Sequence, residues 1–235
     1  MAVVARALTL CLLLGACGSG GMNPVVSAGL DRFNPFGKEE AGPPKTVTVS
    51  RTQLEAAGQP AVRISLEGEE IVTTLVAATS NNGTLTYLSR LGQSITLRGT
   101  QVVATRGIGT DLLSVAAFGP DPVAQPRPLE AWPEGVTRRY EIPGPGVQGR
   151  LIVATCLFAQ GDQQTLVVLG QQVTGQVVEE RCAAPDGSRF DNLHLVEPLT
   201  GQIWRSRQWI GPEIAQLDLS VIVPATPLAA TLTGR

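Results

Sequence analysis

Between residues 71 and 106 the chain consists of short β-branched runs cut by turn residues, and this pattern constrains the fold more than any other feature. Residues 71–80 are apolar and β-branched. Asn82-Gly83 follows, a dipeptide suited to a two-residue hairpin turn, and residues 84–89 then alternate with period two. Gly92 breaks the chain before residues 94–98, and Gly99 turns it into 101–106. The same grammar returns at 137–142, 149–160, 165–169, 172–182, 188–197, 202–210 and 215–224, with Gly161-Asp162 read as a turn. One helix is expected, over 51–57. Ser50 caps it, Gln53 three residues on completes a capping box, and Gly58 and Pro60 stop it. The fold class this predicts is all-β: an antiparallel sandwich, bent sheets or an open barrel, with one short N-terminal helix.

The N-terminus carries a second strong pattern. Residues 1–6 hold one positive charge, and the apolar run after them is far shorter than the roughly 20 residues that span a bilayer. Leu14-Gly15-Ala16-Cys17 then resembles a bacterial lipobox, in which the cysteine thiol is joined to diacylglycerol and becomes the first mature residue. On this reading 1–16 is a lipoprotein signal peptide and Cys17 is the lipidation site. Residues 17–45, rich in Gly, Pro and Ser, form a flexible tether. Gly18 after the cysteine, by resemblance to enterobacterial lipoproteins that use Asp there for inner-membrane retention, points to the outer membrane, facing the periplasm. Residues 46–224 are expected to form a single β-rich domain, and 225–235 a loose tail. A proline-rich stretch at 119–133 reads as a long surface loop rather than a domain boundary.

Removing 1–16 takes one arginine from the 18 basic residues and leaves 17 against 20 acidic, a net charge of about −3. No basic excess is present to neutralise phosphates, so nucleic-acid binding is not expected. Once Cys17 is lipidated, Cys156 and Cys182 remain, and in an oxidising compartment a disulfide is the default. A zinc site is the alternative, with one histidine and no CxxC to support it; neither a metal nor a cofactor is expected.

Catalysis requires converging groups, and few present themselves. His194, the only histidine, alternates with Leu193 and Leu195 and reads as a solvated or edge-facing strand residue. No GxSxG elbow occurs. Gly107-Ile108-Gly109 lacks the helix and third glycine of a phosphate cradle. Glu69-Glu70 and Glu179-Glu180 suggest paired acids, but neighbours on a strand face opposite ways, so the pairs read as strand-end solubility.

Two stretches resemble a known family. Residues 97–112, "LRGTQVVATRGIGTDL", are similar to an "nGriv.T.Glg.dL" pattern, with Gln101 where Arg is common and Thr100 where Asn or Asp is usual. Residues 200–212, "TGQIWRSRQWIGP", are similar to "TG.vWkS.Q.igP". With the lipobox they resemble the YjbF/GfcB family of capsule and exopolysaccharide lipoproteins. The resemblance implies a non-enzymatic all-β accessory lipoprotein that supports polysaccharide secretion or assembly through protein or glycan contacts. The partners it implies are envelope proteins of the export system and the polysaccharide. Two rivals stay open: a glycan-active hydrolase or lyase using Asp111, Glu141, Glu179 and Asp191, and a stabiliser of an outer-membrane export channel.

The stretch 203–210, "IWRSRQWI", holds two of the three tryptophans. Strict alternation sorts Ile203, Arg205, Arg207 and Trp209 onto one face and Trp204, Ser206, Gln208 and Ile210 onto the other. Arg205, Arg207, Trp204 and Trp209 are therefore the candidate glycan or partner contacts. The same residues read equally as ion pairs and buried indoles of a structural strand, the commoner fate of Trp.

Overall fold

The computed structural model of the protein describes residues 50–66, 72–144, 149–168 and 170–225. The signal peptide, Cys17, the tether, Glu69-Glu70 and the tail from residue 226 lie outside the described residues.

Helix α1 (Arg51–Ala56) forms where the capping box places it. The Ser50 hydroxyl accepts from the Gln53 N–H at 3.3 Å, and Gln53 Oε1 accepts from the Ser50 N–H at 3.0 Å. Leu54 is its buried face, packed with Ala61 and Ile222.

Twelve strands follow among the described residues. They are β1 (Ala61–Leu66), β2 (Val72–Asn81), β3 (Thr84–Leu88), β4 (Ser94–Arg98), β5 (Gln101–Arg106), β6 (Ser114–Phe118) and β7 (Gly135–Ile142). Then come β8 (Arg150–Val168), β9 (Gln171–Ala183), β10 (Arg189–Val196), β11 (Ile203–Gly211) and β12 (Ala215–Val223). Their order is β5-β4-β3-β2-β1-β12-β11-β10-β9-β8-β7-β6, and each neighbouring pair is antiparallel. The end strands β5 and β6 approach each other without forming a ladder, so the sheet is a nearly closed barrel. The Asn82-Gly83 turn is as expected, with φ of +46° and +75° at the two positions.

Alternation selects the interior. Ile95 and Leu97 of β4, Tyr140 and Ile142 of β7, Ile152 and Ala154 of β8, and Leu217 and Leu219 of β12 point inward and form one apolar cluster. Cys156 and Cys182 face each other on β8 and β9, and a disulfide joins them inside the barrel.

Two expectations need correction. Gly161-Asp162 is not a turn: β8 runs through it for 19 residues, with Gln160 opposite Val178 and Gln163 opposite Gln176. Two residues therefore face only Val177, a bulge that bends the long β8–β9 hairpin. The outer half of the hairpin packs Leu166, Val168, Val173 and Val177 against Leu195 and Trp204. Arg51 donates to the Val168 carbonyl at 2.7 Å and also to that of Ile222, tying the hairpin tip to α1 and β12.

The proline-rich stretch is an irregular loop with many exposed residues, but it is pinned inward rather than lying free on the surface. Asp121, Pro122 and Val123 are buried, and Val123 and Leu129 pack against Val178, Val196 and Ile203. The segment plugs one end of the barrel because its apolar residues have an open core to fill and Asp121 has a buried cation to meet.

Candidate functional site

Three places in the fold concentrate polar chemistry. The first is inside the barrel. Arg138 projects inward from β7 between Val136 and Tyr140 and is fully buried. Its Nε and Nη2 donate to the two carboxylate oxygens of Asp121 at 2.6 and 2.8 Å, and its Nη1 donates to Glu180 of β9. Glu180 Oε2 also accepts from Asn192 Nδ2 at 2.9 Å and lies 3.0 Å from His194 Nε2. Asn192 Oδ1 in turn accepts the Trp209 backbone N–H at 2.8 Å.

Burial by itself raises the Glu180 carboxyl, but the Arg138 guanidinium and the hydrogen bonds from His194 and Asn192 outweigh it and hold the group at about 2. For Arg138, burial opposes the charge, yet Glu180, Tyr140 and Asp121 keep it well above its ordinary value. Burial pushes the Tyr140 hydroxyl up to about 12. These are groups locked in one charge state. Glu180 also lies within 4.8 Å of the Cys156 and Cys182 sulfurs, but the disulfide leaves neither as a thiolate ligand for a metal.

This cluster corrects two sequence readings. His194 is not solvated; it is 1% exposed. Glu179 and Glu180 do face opposite ways, but only Glu179 is a surface residue, held by Arg181 at 2.5 Å. The apolar Leu193 and Leu195 had marked the opposite face of β10 as the interior. Here that face is the outer one, and its apolar character serves the folded-over β8–β9 hairpin. Nothing in the local sequence marks Arg138 or Asp121 as the partners.

The second place is where the two family-like stretches meet. Gln208 Nε2 donates to the Thr100 carbonyl at 2.7 Å and to Ser206 Oγ at 2.8 Å. Its Oε1 accepts from the Val102 N–H and from Gln101 Nε2, both at 3.0 Å. Asp111 closes its own loop, accepting from Thr105 Oγ1 at 3.1 Å, Gly107 N–H at 3.0 Å and Ile108 N–H at 3.3 Å. Thr110 Oγ1 donates to Glu213. One glycine of each stretch seats the plug. Gly99, at φ +55°, would set a Cβ 2.6 Å from the Ala124 carbonyl oxygen, and Gly201, at φ +74°, one 1.9 Å from that of Arg127. Only glycine fits at either position. These stretches are architecture.

The third place is the outer face of β11. Leu195 pairs with Arg205 but Val196 with Ile203, so Trp204 is an extra residue that resets the alternation. Ile203 is buried under the plug, Arg205 and Arg207 face out, and Ser206 and Gln208 face in. A second irregularity, between Trp209 and Gly211, lets the Trp209 ring enter the core. It stacks on Phe190 at 4.3 Å between centroids and meets Tyr140 edge-on at 5.4 Å. The expected single row of Ile203, Arg205, Arg207 and Trp209 therefore does not exist, and Trp209 offers no surface. Trp204 is half-buried against Leu195 and the hairpin. Arg205 and Arg207 both turn to Asp218 of β12, at 3.1 and 3.5 Å. They line a groove of about 210 Å³ with Asp218, Gln164, Leu166, Val177, Leu193 and Leu195.

Of the four carboxylates considered for a hydrolase, Asp111 is engaged in its loop, Glu141 accepts from Ser114 at 3.1 Å, and Glu179 pairs with Arg181. Asp191 is exposed on β10.

Comparisons with known proteins bear on the whole of this architecture. The family model described as group 4 capsule polysaccharide lipoprotein gfcB, YjbF matches residues 26–222. No curated protein matches the chain. Among solved structures, the hypothetical lipoprotein YmcC from Escherichia coli K12 is similar, with a TM-score of 0.65 and 20% identity. The match covers 76% of this chain and 90% of that one, and at this identity it establishes the shared fold.

Proposed function

The chain belongs to the group 4 capsule polysaccharide lipoprotein family (gfcB, YjbF), and from that premise we propose that it is a lipid-anchored, non-enzymatic protein supporting secretion or assembly of a capsule or exopolysaccharide. Cys17 carries the lipid, residues 18–45 give the body reach from the membrane, and the barrel faces the periplasm from the outer membrane. The domain working at the end of this tether is the single β-rich body of residues 46–224. Its contacts are with envelope proteins of the export system and with the polymer.

The family match carries this reading. A second observation supports the non-enzymatic part. The richest cluster of titratable groups among the described residues, Asp121, Arg138, Glu180 and His194, is buried to within 3% and paired internally, with His194 Nδ1 left without a partner. These side chains present almost no surface to a substrate. Among the described residues no helix is long and apolar enough to cross a membrane; the lipobox at residues 14–17 is what assigns anchoring to the lipid.

Deleting the gene and quantifying secreted polymer tests the role. Secretion falls in the deletion strain, wild type restores it, and Cys17→Ala restores it poorly; unchanged polymer in the deletion strain sinks the reading. Palmitate labelling that persists in Cys17→Ala removes the anchor from it.

A further inference from the structure

Rows of outward side chains cross β10, β11, β12 and β1 in an order set by strand register. One row runs Leu195, Arg205, Ser220, Arg63, and the next runs Leu193, Arg207, Asp218, Ser65. Neighbouring strands lie ~4.8 Å apart, so among the described residues three outward arginines and one carboxylate, Asp218, lie on these two adjoining rows. Asp218 is divided between two of them: Oδ1 accepts from Arg205 Nε and Nη2 at 3.2 and 3.1 Å, while Oδ2 lies 3.5 Å from Arg207 Nε. Arg63 is left with a buried Nε that has no hydrogen-bond partner. The next carboxylate along the row, Glu179, is already held by Arg181.

An exposed ion pair adds little to stability, so stability alone does not call for an excess of cations here. Beside the charges, the bent hairpin raises a wall of Gln164, Leu166 and Val177 over a floor of Leu193 and Leu195. A planar anion with an apolar ring face matches both halves. The guanidinium fork pairs with a carboxylate in two-point geometry, and the aliphatic wall and floor accept the C–H face of a sugar ring.

We propose that this groove binds a carboxylate-bearing sugar unit, a uronic acid type residue, of an anionic polysaccharide. Arg205 and Arg207 grip the carboxylate in place of Asp218, Gln164 hydrogen-bonds ring hydroxyls, and Arg63 supplies the surplus positive field. This rests on the reading that the protein meets the polymer.

The test titrates the full lipoprotein in detergent micelles with oligogalacturonate and with a neutral maltooligosaccharide of equal length. Oligogalacturonate binds at least tenfold more tightly, and less tightly as salt rises. Arg205→Gln/Arg207→Gln loses at least tenfold in affinity. Asp218→Asn tightens binding, because the ligand no longer displaces a resident carboxylate. Arg139→Gln, an exposed arginine of β7, leaves affinity unchanged. Equal binding of the neutral sugar overturns the proposal, as does an undiminished double variant, weaker binding by Asp218→Asn, or an equal loss in Arg139→Gln. Competition by inorganic phosphate at equal concentration reduces the groove to a general anion site and overturns the sugar assignment. If deletion abolishes secretion but oligogalacturonate does not bind, the groove assignment fails and the envelope role stands. Binding with secretion intact in the deletion strain gives the reverse.

Discussion

Gln208 reaches from β11 through the barrel interior to β5, where its Oε1 accepts the Val102 backbone N–H at 3.0 Å across a sequence separation of 106. The same amide holds Thr100 and Gln101, so one buried side chain fastens together the two stretches that mark the family. Gln208→Ala strands a backbone N–H, a carbonyl and a side-chain amide in the interior. The expected cost is about 2 to 4 kcal/mol, read as a lower urea midpoint at unchanged m-value.

Among the described residues Arg138 is the one arginine that touches both the Asp121 and the Glu180 carboxylates. Arg138→Met leaves two buried negative charges facing an apolar side chain of similar length. A loss of about 3 to 5 kcal/mol is expected. Asp121 also anchors the plug, so proteolysis within 119–133 should rise well before global unfolding. Retained protease resistance at that segment would show that Val123 and Leu129 alone hold it.

The Glu180 carboxyl is lowered in the folded protein from an ordinary 4.5 to about 2. A carboxyl depressed by folding contributes stability that is fully present above the unfolded value and is lost as pH falls through the folded one. Stability should therefore decline as pH drops from about 4.5 toward about 2. The exposed Asp186, lowered to about 2 by the Ser188 N–H and then by Arg150, titrates in the same window. Comparing urea midpoints of wild type and Glu180→Gln from pH 6 to pH 2.5 separates them: the variant is less stable at pH 6 and its profile is flatter.

The Cys156–Cys182 disulfide joins directly opposed residues of β8 and β9 and is buried. In the loop-entropy model it contributes roughly 3 to 4 kcal/mol. Cys156→Ala/Cys182→Ala should lower the unfolding midpoint accordingly. In wild type, the native protein should resist millimolar dithiothreitol until denaturant opens the barrel, as followed by thiol alkylation.

Much of the fold was legible because it is local. Asn82-Gly83 requires two positive-φ positions, Ser50 and Gln53 form their capping box within one turn, and alternation in β4 and β7 writes an inside and an outside. Alternation fails where a strand is covered on both faces or slips a residue. His194 was misread because Leu193 and Leu195 serve the folded-over hairpin, and Trp209 because an irregularity in β11 turns its ring into the core. Gly99 and Gly201 of the two family stretches were visible, but not that they make room for the plug.

The sequence by itself determined that the described body is all-β with a helix capped at Ser50, and that its two motif stretches resemble those of capsule lipoproteins. These follow from backbone preference and local spacing, which act over a few residues. Only the tertiary structure decided that the strands close into a barrel-like sheet and that a proline-rich segment plugs it. It alone set Asp121, Arg138, Glu180 and His194 inside and gathered Arg63, Arg205, Arg207 and Asp218 outside. Those placements depend on register across strands up to 162 residues apart, with Ala61 of β1 opposite Val223 of β12, and on which face a distant hairpin covers. A short window of sequence holds neither, because the energy that fixes them comes from contacts that exist only once the sheet has closed.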